Sequence, residues 1–328
     1  MRVLVTGANG FIGSNLVKHL LNKGFKVNAL VRKSSDLSFL QDASANIIYG
    51  DITSKESLRA AMADCEQVFH VAGLASDWGD YKLFYDINVT GALNVAEVAN
   101  ELATKRMIHI SSVAIHGFGF RNINEDYPFG KKLIAYAETK KIAELKLFEF
   151  AQDKQLEMTA IRPGNVFGEN DHTFIEKYLD AMFAGQLAFI NKGKSLTCPS
   201  YIGNLVEGIY LAATKDEAVG EAFFITDGLD ITWNEFTTKL AHAVGKKPPT
   251  RSLPYAVANN IAKMMETSYK ALKIKQAPLL TRYRVANGSQ DYHFSIEKAK
   301  KMLGFEPKVG IDEALKRTGE WYLGRRGL

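Results

Sequence analysis

The sequence predicts an α/β fold: a doubly wound parallel sheet with a smaller, mostly helical C-terminal lobe. Three observations point there. Val3-Leu4-Val5 is a short apolar run, followed at once by Gly7, Gly10 and Gly13. Apolar residues at Phe11, Leu16, Val17, Leu20 and Leu21 then recur near a period of about 3.6, so a helix starts inside the glycine run. Five further strand-like runs alternate with helical patterns through residue 168, the rhythm of parallel strands joined by crossover helices.

The first strand, glycine turn and helix form the context in which a glycine run signals dinucleotide binding. A pyrophosphate must come close to the backbone, and a Cβ would stand in its way. Free N–H groups and the dipole at the helix start then hold the anion. Gly7, Asn9, Gly10, Phe11, Ile12 and Gly13 are the candidate phosphate contacts. A tight strand-to-helix turn without a ligand is the alternative.

Lys26–Val31 reads as the second strand and ends at Arg32-Lys33-Ser34-Ser35. An acidic residue there would bind the ribose 2′-hydroxyl. Val31 and Arg32 stand in its place, which suits a 2′-phosphate and favours NADP(H) over NAD(H). Arg32 as a plain solvated loop charge stays open.

Residues 47–51 give a third strand, and Ser54 caps a helix with Leu58, Ala61 and Met62 on one face. Asp51, with Ile52 beside it, can accept from an adenine amino group or serve only as a loop aspartate. Residues 67–73 form a fourth strand closed by the small Ala72 and Gly73, and residues 85–102 a long helix containing Asn88.

The fifth strand, 107–110, ends in Ser111-Ser112. A glycine-bearing loop (Gly117, Gly119, Gly130) leads to a helix over 133–152, where Tyr136 and Lys140 project from one face. The sixth strand, 158–161, is closed by Arg162-Pro163-Gly164-Asn165. Helices follow at 174–183 and 205–213, and a last strand at 221–225. The chain then divides into a dinucleotide-binding domain, 1–168 with 202–226 returning to it, and a substrate lobe of 169–201 and 227–328.

Composition narrows the function. The 328 residues are 46% hydrophobic and 23% charged, ordinary for a globular protein. A net charge of +5 with scattered basic residues gives no reason to expect nucleic acid. Cys65 and Cys198 are the only cysteines, too few and too far apart for a disulfide framework or a zinc site, and no other metal is expected. The first residues enter a strand directly, so no signal peptide is expected. No apolar run reaches about 18 residues, so neither is a membrane span. A reducing, cytoplasmic setting is the expectation.

Together, Thr6-Gly7-x-x-Gly10-x-x-Gly13, the Asp51 turn, Ser111-Ser112 and Tyr136-x-x-x-Lys140 resemble an extended short-chain dehydrogenase/reductase, a Rossmann-fold family, in the family's own order and over nearly the whole chain. Four further segments look like the 3β-hydroxysteroid dehydrogenase-like branch. They are Ala29-Leu-Val-Arg32, Arg162-Pro-Gly-Asn-Val-Phe-Gly168, Phe224-Ile-Thr-Asp-Gly228 and Phe294-Ser-Ile-Glu-Lys-Ala299. That branch includes sterol 4-carboxylate dehydrogenases, 2-alkyl-3-oxoalkanoate reductases and dihydroflavonol reductase relatives. The family's sugar-nucleotide epimerases typically carry an aspartate where Val31 stands, a departure that disfavours that activity.

The resemblance gives Ser112, Tyr136 and Lys140 one catalytic site, and adds Ser111, Tyr136, Lys140, Pro163, Asn165 and Val166 to the cofactor contacts. Tyr136 would protonate the alkoxide left by hydride transfer, and Ser112 would hold the substrate oxygen. Lowering a phenol pKa from about 10 to about 7 takes roughly 4 kcal/mol. A cation about 4 Å away at an effective dielectric of 20 supplies a similar amount, the role expected of Lys140. Tyr255, Met264, Met265, Tyr269, Leu279 and Leu280 suggest an apolar substrate, a ketone or a secondary alcohol. A nucleotide-sugar epimerase or dehydratase is the alternative enzyme, and a non-catalytic NADP(H) sensor the alternative from another class.

Two surfaces complete the expectations. The helices at 85–102 and 133–152 are apolar on more than one face, which suits a homodimer. Within 256–275, Ala258, Ile261, Ala262, Met265, Tyr269 and Leu272 fall on one stripe, with Lys263, Lys270 and Lys273 largely elsewhere. A lid packed over the pocket is the favoured reading, peripheral membrane contact the other.

Overall fold

The structure, a computed structural model, describes residues 1–41 and 43–327. Seven strands build one sheet: β1 (Arg2–Thr6), β2 (Lys26–Val31), β3 (Asn46–Tyr49), β4 (Gln67–His70), β5 (Arg106–Ile110), β6 (Glu157–Pro163) and β7 (Ala222–Ile225). They lie in the order β7-β6-β5-β4-β1-β2-β3, and every neighbouring pair is parallel. The winding reverses between β1 and β4, which opens a crevice at the carboxyl ends of those strands.

Alternation along β1 sorts the two faces of the sheet. Val3 and Val5 pack with Leu16, Val17 and Leu20 of α1 (Phe11–Asn22). Leu4 points the other way, toward Leu58, Ala61 and Met62 of α2 (Lys55–Met62). After β4 come α3 (Tyr81–Tyr85) and α4 (Gly91–Glu101), and after β5 comes α5 (Ala135–Lys154). The buried residues of α4 and α5 join the α2 side. Beyond α6 (Ile175–Phe183), α7 (Ile202–Thr214) packs beside α1 through Leu205, Ile209 and Ala212. The remaining helices are α8 (Trp233–Ala243), α9 (Tyr255–Ala271), α10 (Arg282–Ser289), α11 (Glu297–Leu303) and α12 (Ile311–Arg326).

Several expectations need correction. The third and fourth strands stop at Tyr49 and His70 rather than at residues 51 and 73. Past His70 the chain leaves the ladder, because the Ala72 N–H donates to the Thr6 hydroxyl at 3.1 Å. The helix expected over 85–102 is two helices joined by a wide turn, Asp86–Thr90. Its extra residue lets Asn88 reach sideways, a device that recurs at functional sites. The helix expected to start at residue 205 starts at Ile202. Short strand pairs also went unread: Asn165–Phe167 with Pro199–Tyr201, and Phe120–Ile123 with Tyr292–Phe294. Strands of three or four residues are too brief to show a period.

Among the described residues no helix is long and apolar enough to cross a membrane, and no cluster of histidine, cysteine and acidic residues could hold a metal. Cys65 and Cys198 are free and buried.

Candidate active site

The glycine turn is built by two constraints. Gly7 sits at φ +64°, and a Cβ there would lie 2.8 Å from the Ala72 Cα. A Cβ on Gly13 would overlap the Gly7 carbonyl oxygen, so α1 presses directly on the turn. Gly10 occupies the N-cap of α1 and supplies no side-chain cap. The first-turn N–H groups of α1 therefore remain for an anion.

One cleft continues from there. It is lined by Gly7, Asn9 and Gly10, by Val31 and Arg32 at the end of β2, by Asp51 and Ile52 after β3, and by Ala72 and Gly73 after β4. Asp51 Oδ1 already accepts from the Thr53 amide and hydroxyl at 2.9 and 2.8 Å. Phe11 and Ile12 stand in the first turn of α1, half-buried against the core. Pro163 ends β6, Asn165 and Val166 follow it, and none of the three is in the lining of this cleft. Asn165 Nδ2 donates to Thr197 Oγ1 at 3.0 Å, which ties that side chain to the C-terminal half.

Ser112 follows β5, and its hydroxyl accepts from the Ala114 N–H at 3.1 Å. Tyr136 stands in the first turn of α5, close enough to the Ser112 hydroxyl for Ser112 to bear on its phenol. Burial nonetheless pushes the phenol pKa up, with Ser112 opposing. Lys140 is buried one turn further along, and its Nζ donates to the Ile110 carbonyl at 2.7 Å. Burial pulls the Lys140 pKa down to about 8, and Glu144 resists that shift. The Lys140 ammonium also comes up beneath Gly73, where a Cβ would lie 3.1 Å from Nζ. Here desolvation sets the direction of the phenol's shift, and the Lys140 ammonium engages the end of β5. Ser111 is buried, with no hydrogen-bond partner for its hydroxyl among the described residues.

Other residues shape the site without any sequence motif to announce them. Asn88 clamps the loop after β4 to α5. Its Oδ1 accepts from the Leu74 N–H at 2.7 Å, and its Nδ2 donates to the Leu74 carbonyl and to Thr139 Oγ1 at 3.1 Å. Thr6 Oγ1 lies 2.9 Å from His70 Nδ1 and joins the ends of β1 and β4. The C-terminal lobe brings in Tyr283 of α10, whose ring meets Phe118 edge-on at 5.2 Å. Burial raises the Tyr283 phenol above its usual range, and the neighbouring Tyr136 and Asp77 disfavour its ionisation further. Asp77 pins the lobe: it accepts from Thr281 Oγ1 at 2.5 Å and from Arg284 Nη2 at 2.9 Å. Tyr255, Met264 and Leu279, expected to line an apolar pocket, are instead exposed.

Comparison with known proteins places this geometry. The model of the NAD dependent epimerase/dehydratase family matches residues 3–225. The chain is 30% identical to the 4-hydroxy-2-methyl-3-oxo-4-farnesyl-3,4-dihydroquinoline-1-oxide ketoreductase of Stigmatella aurantiaca, over 97% of each chain. It is also 30% identical to the human sterol-4-alpha-carboxylate 3-dehydrogenase (decarboxylating), over 97% of this chain and 87% of that one. Among solved structures, gox2253 superposes with a TM-score of 0.83 at 26% identity, covering 99% of this chain and 98% of its own.

Proposed function

Because the chain belongs to the NAD dependent epimerase/dehydratase family, we propose that it is an NADP(H)-dependent oxidoreductase that interconverts a ketone and a secondary alcohol on an apolar substrate. The substrate class is sterol-like, 3-oxoalkanoate-like or flavonol-like. The observation that carries this reading is the placement of Ser112, at the end of β5, beside Tyr136 in the first turn of α5, with Lys140 one turn further along and beneath Gly73. The similar proteins named for ketone reduction and sterol dehydrogenation support the apolar class.

The residues fit a dinucleotide. Gly7, Asn9, Gly10 and the uncapped start of α1 receive the pyrophosphate, with Phe11, Ile12 and Gly13 fixing that turn. Asp51 and Ile52 meet the adenine, and Ala72 and Gly73 leave room for the chain of sugars and phosphates. When bound, the nicotinamide supplies or accepts the hydride. Ser112 donates to the carbonyl oxygen and orients it. Tyr136, kept protonated by its burial, gives its phenolic proton to that oxygen as the carbon is reduced, and takes a proton back in the reverse direction. Lys140, anchored on Ile110, holds the nicotinamide ribose. Tyr283 borders the substrate from the lobe side.

Lys140 ties cofactor affinity to pH. Its ammonium is present below about 8 and is lost as the pH rises through that value. NADPH affinity therefore falls above about pH 8, and Lys140→Met flattens the profile. Fluorescence titration of NADPH at several pH values checks this; an unchanged slope in Lys140→Met counts against the role.

Arg32 selects the cofactor. A guanidinium meets a 2′-phosphate bidentately. One charge-assisted bond is worth about 1.5–3 kcal/mol, so Arg32→Ala weakens NADPH by about 10- to 100-fold and NADH little. Equal losses for the two cofactors would show that Arg32 does not read the phosphate.

The homodimer belongs to the same proposal. Tyr81 and Leu83 of α3 and Leu145 of α5 are exposed apolar residues on neighbouring helices. Light scattering that reads a monomer mass at micromolar concentration would remove this part.

A further inference from the structure

Exposed apolar side chains are not spread evenly over this molecule. Among the described residues, seven of the fifteen exposed large hydrophobics fall between Leu253 and Leu279: Leu253, Tyr255, Val257, Ile261, Met264, Leu272 and Leu279. Met264 is 70% exposed, and Leu272 and Leu279 are each 71% exposed. Most of this segment is α9, which packs inward through Ala258 and Ala262 against Val285, Ile190 and Leu280. The stripe expected from the sequence is thereby split. Ala258 and Ala262 turn inward, while Ile261 and Leu272 turn out.

Val257, Ile261 and Met264 recur at helical spacing, so they form one outward apolar stripe. A helix on a soluble surface ordinarily turns polar residues outward. Here Val257, Ile261 and Met264 turn outward beside the exposed Asn260, Thr267 and Ser268, and basic side chains lie further round the helix and just past its end. Lys263, Lys270, Lys273 and Lys275 are exposed. The one acid of the helix, Glu266, is buried and accepts from Arg282 Nε at 2.8 Å, so it does not offset those lysines.

The helix and the turn after it also touch the loop that follows β4. Trp78, on the loop that follows β4, donates from its indole nitrogen to the Ile274 carbonyl at 3.2 Å. Tyr269 of α9 meets the same indole edge-on at 6.3 Å.

We propose that the outward face of α9, with Leu272 and Leu279, docks on a lipid bilayer containing anionic headgroups. The apolar side chains enter the acyl boundary, and the lysines rest among the headgroups. A second copy of the chain is a poor occupant, because a symmetric pairing of this face would bring its lysines together. Docking in this way brings the lobe that carries Tyr283 to the bilayer, where an apolar substrate would be dissolved.

The test is vesicle flotation of the full chain, without substrate. One vesicle population is phosphatidylcholine alone and the other contains added phosphatidylglycerol. Ile261→Glu/Met264→Glu and Lys263→Glu/Lys275→Glu serve as variants. All four positions are exposed, and thermal melting with NADPH binding verifies that each variant folds. Wild type is expected to float with the anionic vesicles and weakly or not at all with phosphatidylcholine. Each double variant is expected to lose binding by about ten-fold or more. Wild type that stays unbound with anionic vesicles, or variants that float as wild type does, would overturn the proposal. So would a doubled mass in light scattering that Ile261→Glu abolishes, since the face would then join two copies. Because no turnover is read, failure here leaves the catalytic reading standing.

Discussion

Tyr136→Phe is expected to lower turnover by about 10²- to 10⁴-fold, the range over which a positioned general acid acts. The substitution removes one oxygen and the proton it carries. The ring keeps its place in the first turn of α5, so the dissociation constant for NADPH should stay within about two- to three-fold of wild type. Ser112 keeps its own anchor, since its oxygen still accepts from the Ala114 N–H. Steady-state turnover and a cofactor titration on the same preparation separate the two effects. Near wild-type turnover in Tyr136→Phe would remove the proposed acid. A parallel loss of cofactor affinity would make the residue structural instead.

The second large effect is on stability. Arg162 at the end of β6 and Glu144 on α5 form a buried pair, their side chains 5% and 1% exposed. Arg162 Nε donates to both carboxylate oxygens at 3.1 Å, Nη2 to one of them at 2.5 Å, and Nη1 to the Glu125 carbonyl at 3.1 Å. Phe129 and Phe224 flank the guanidinium at 5.4 and 5.7 Å. Arg162→Ala leaves the Glu144 carboxylate buried and unpaired, which costs about 3–5 kcal/mol. Arg162→Met with Glu144→Leu removes both charges and should recover most of that loss. Denaturant midpoints of the single and double variants check it. A single variant that loses less than about 1 kcal/mol would mean that water reaches the pair. Glu144 lies one turn beyond Lys140 on α5, so the pair also holds the helix that presents the site.

What the sequence disclosed followed the range of its signals. The strand-turn-helix at Val3 to Val17 was legible because a glycine repeat, a short apolar run and a helical period are all local. Gly7, Gly10, Arg32, Asp51 and Gly73 line one cleft. The direction of the Tyr136 shift was not legible. It depends on burial, and burial is a property of the assembled fold. Tyr283 and Asp77 escaped for a related reason. Both act through contacts across about two hundred residues of sequence, as the Asp77–Thr281 bond shows, and no spacing rule reaches that far. The wide turn at Asn88 was hidden because a single extra residue leaves the helical period nearly intact. The stripe on 256–275 divides in the fold because spacing says which residues align, not which side meets the core.

Hydride transfer itself is open to direct measurement. Nicotinamide absorbance is followed while the purified protein meets a panel of apolar ketones, with UDP-glucose in parallel. The expected result is one NADPH consumed for each secondary alcohol formed from an apolar ketone, with NADH slower by about ten-fold or more. Interconversion of a UDP-sugar with no net consumption of nicotinamide, and no ketone reduced, would contradict it and make the chain an epimerase.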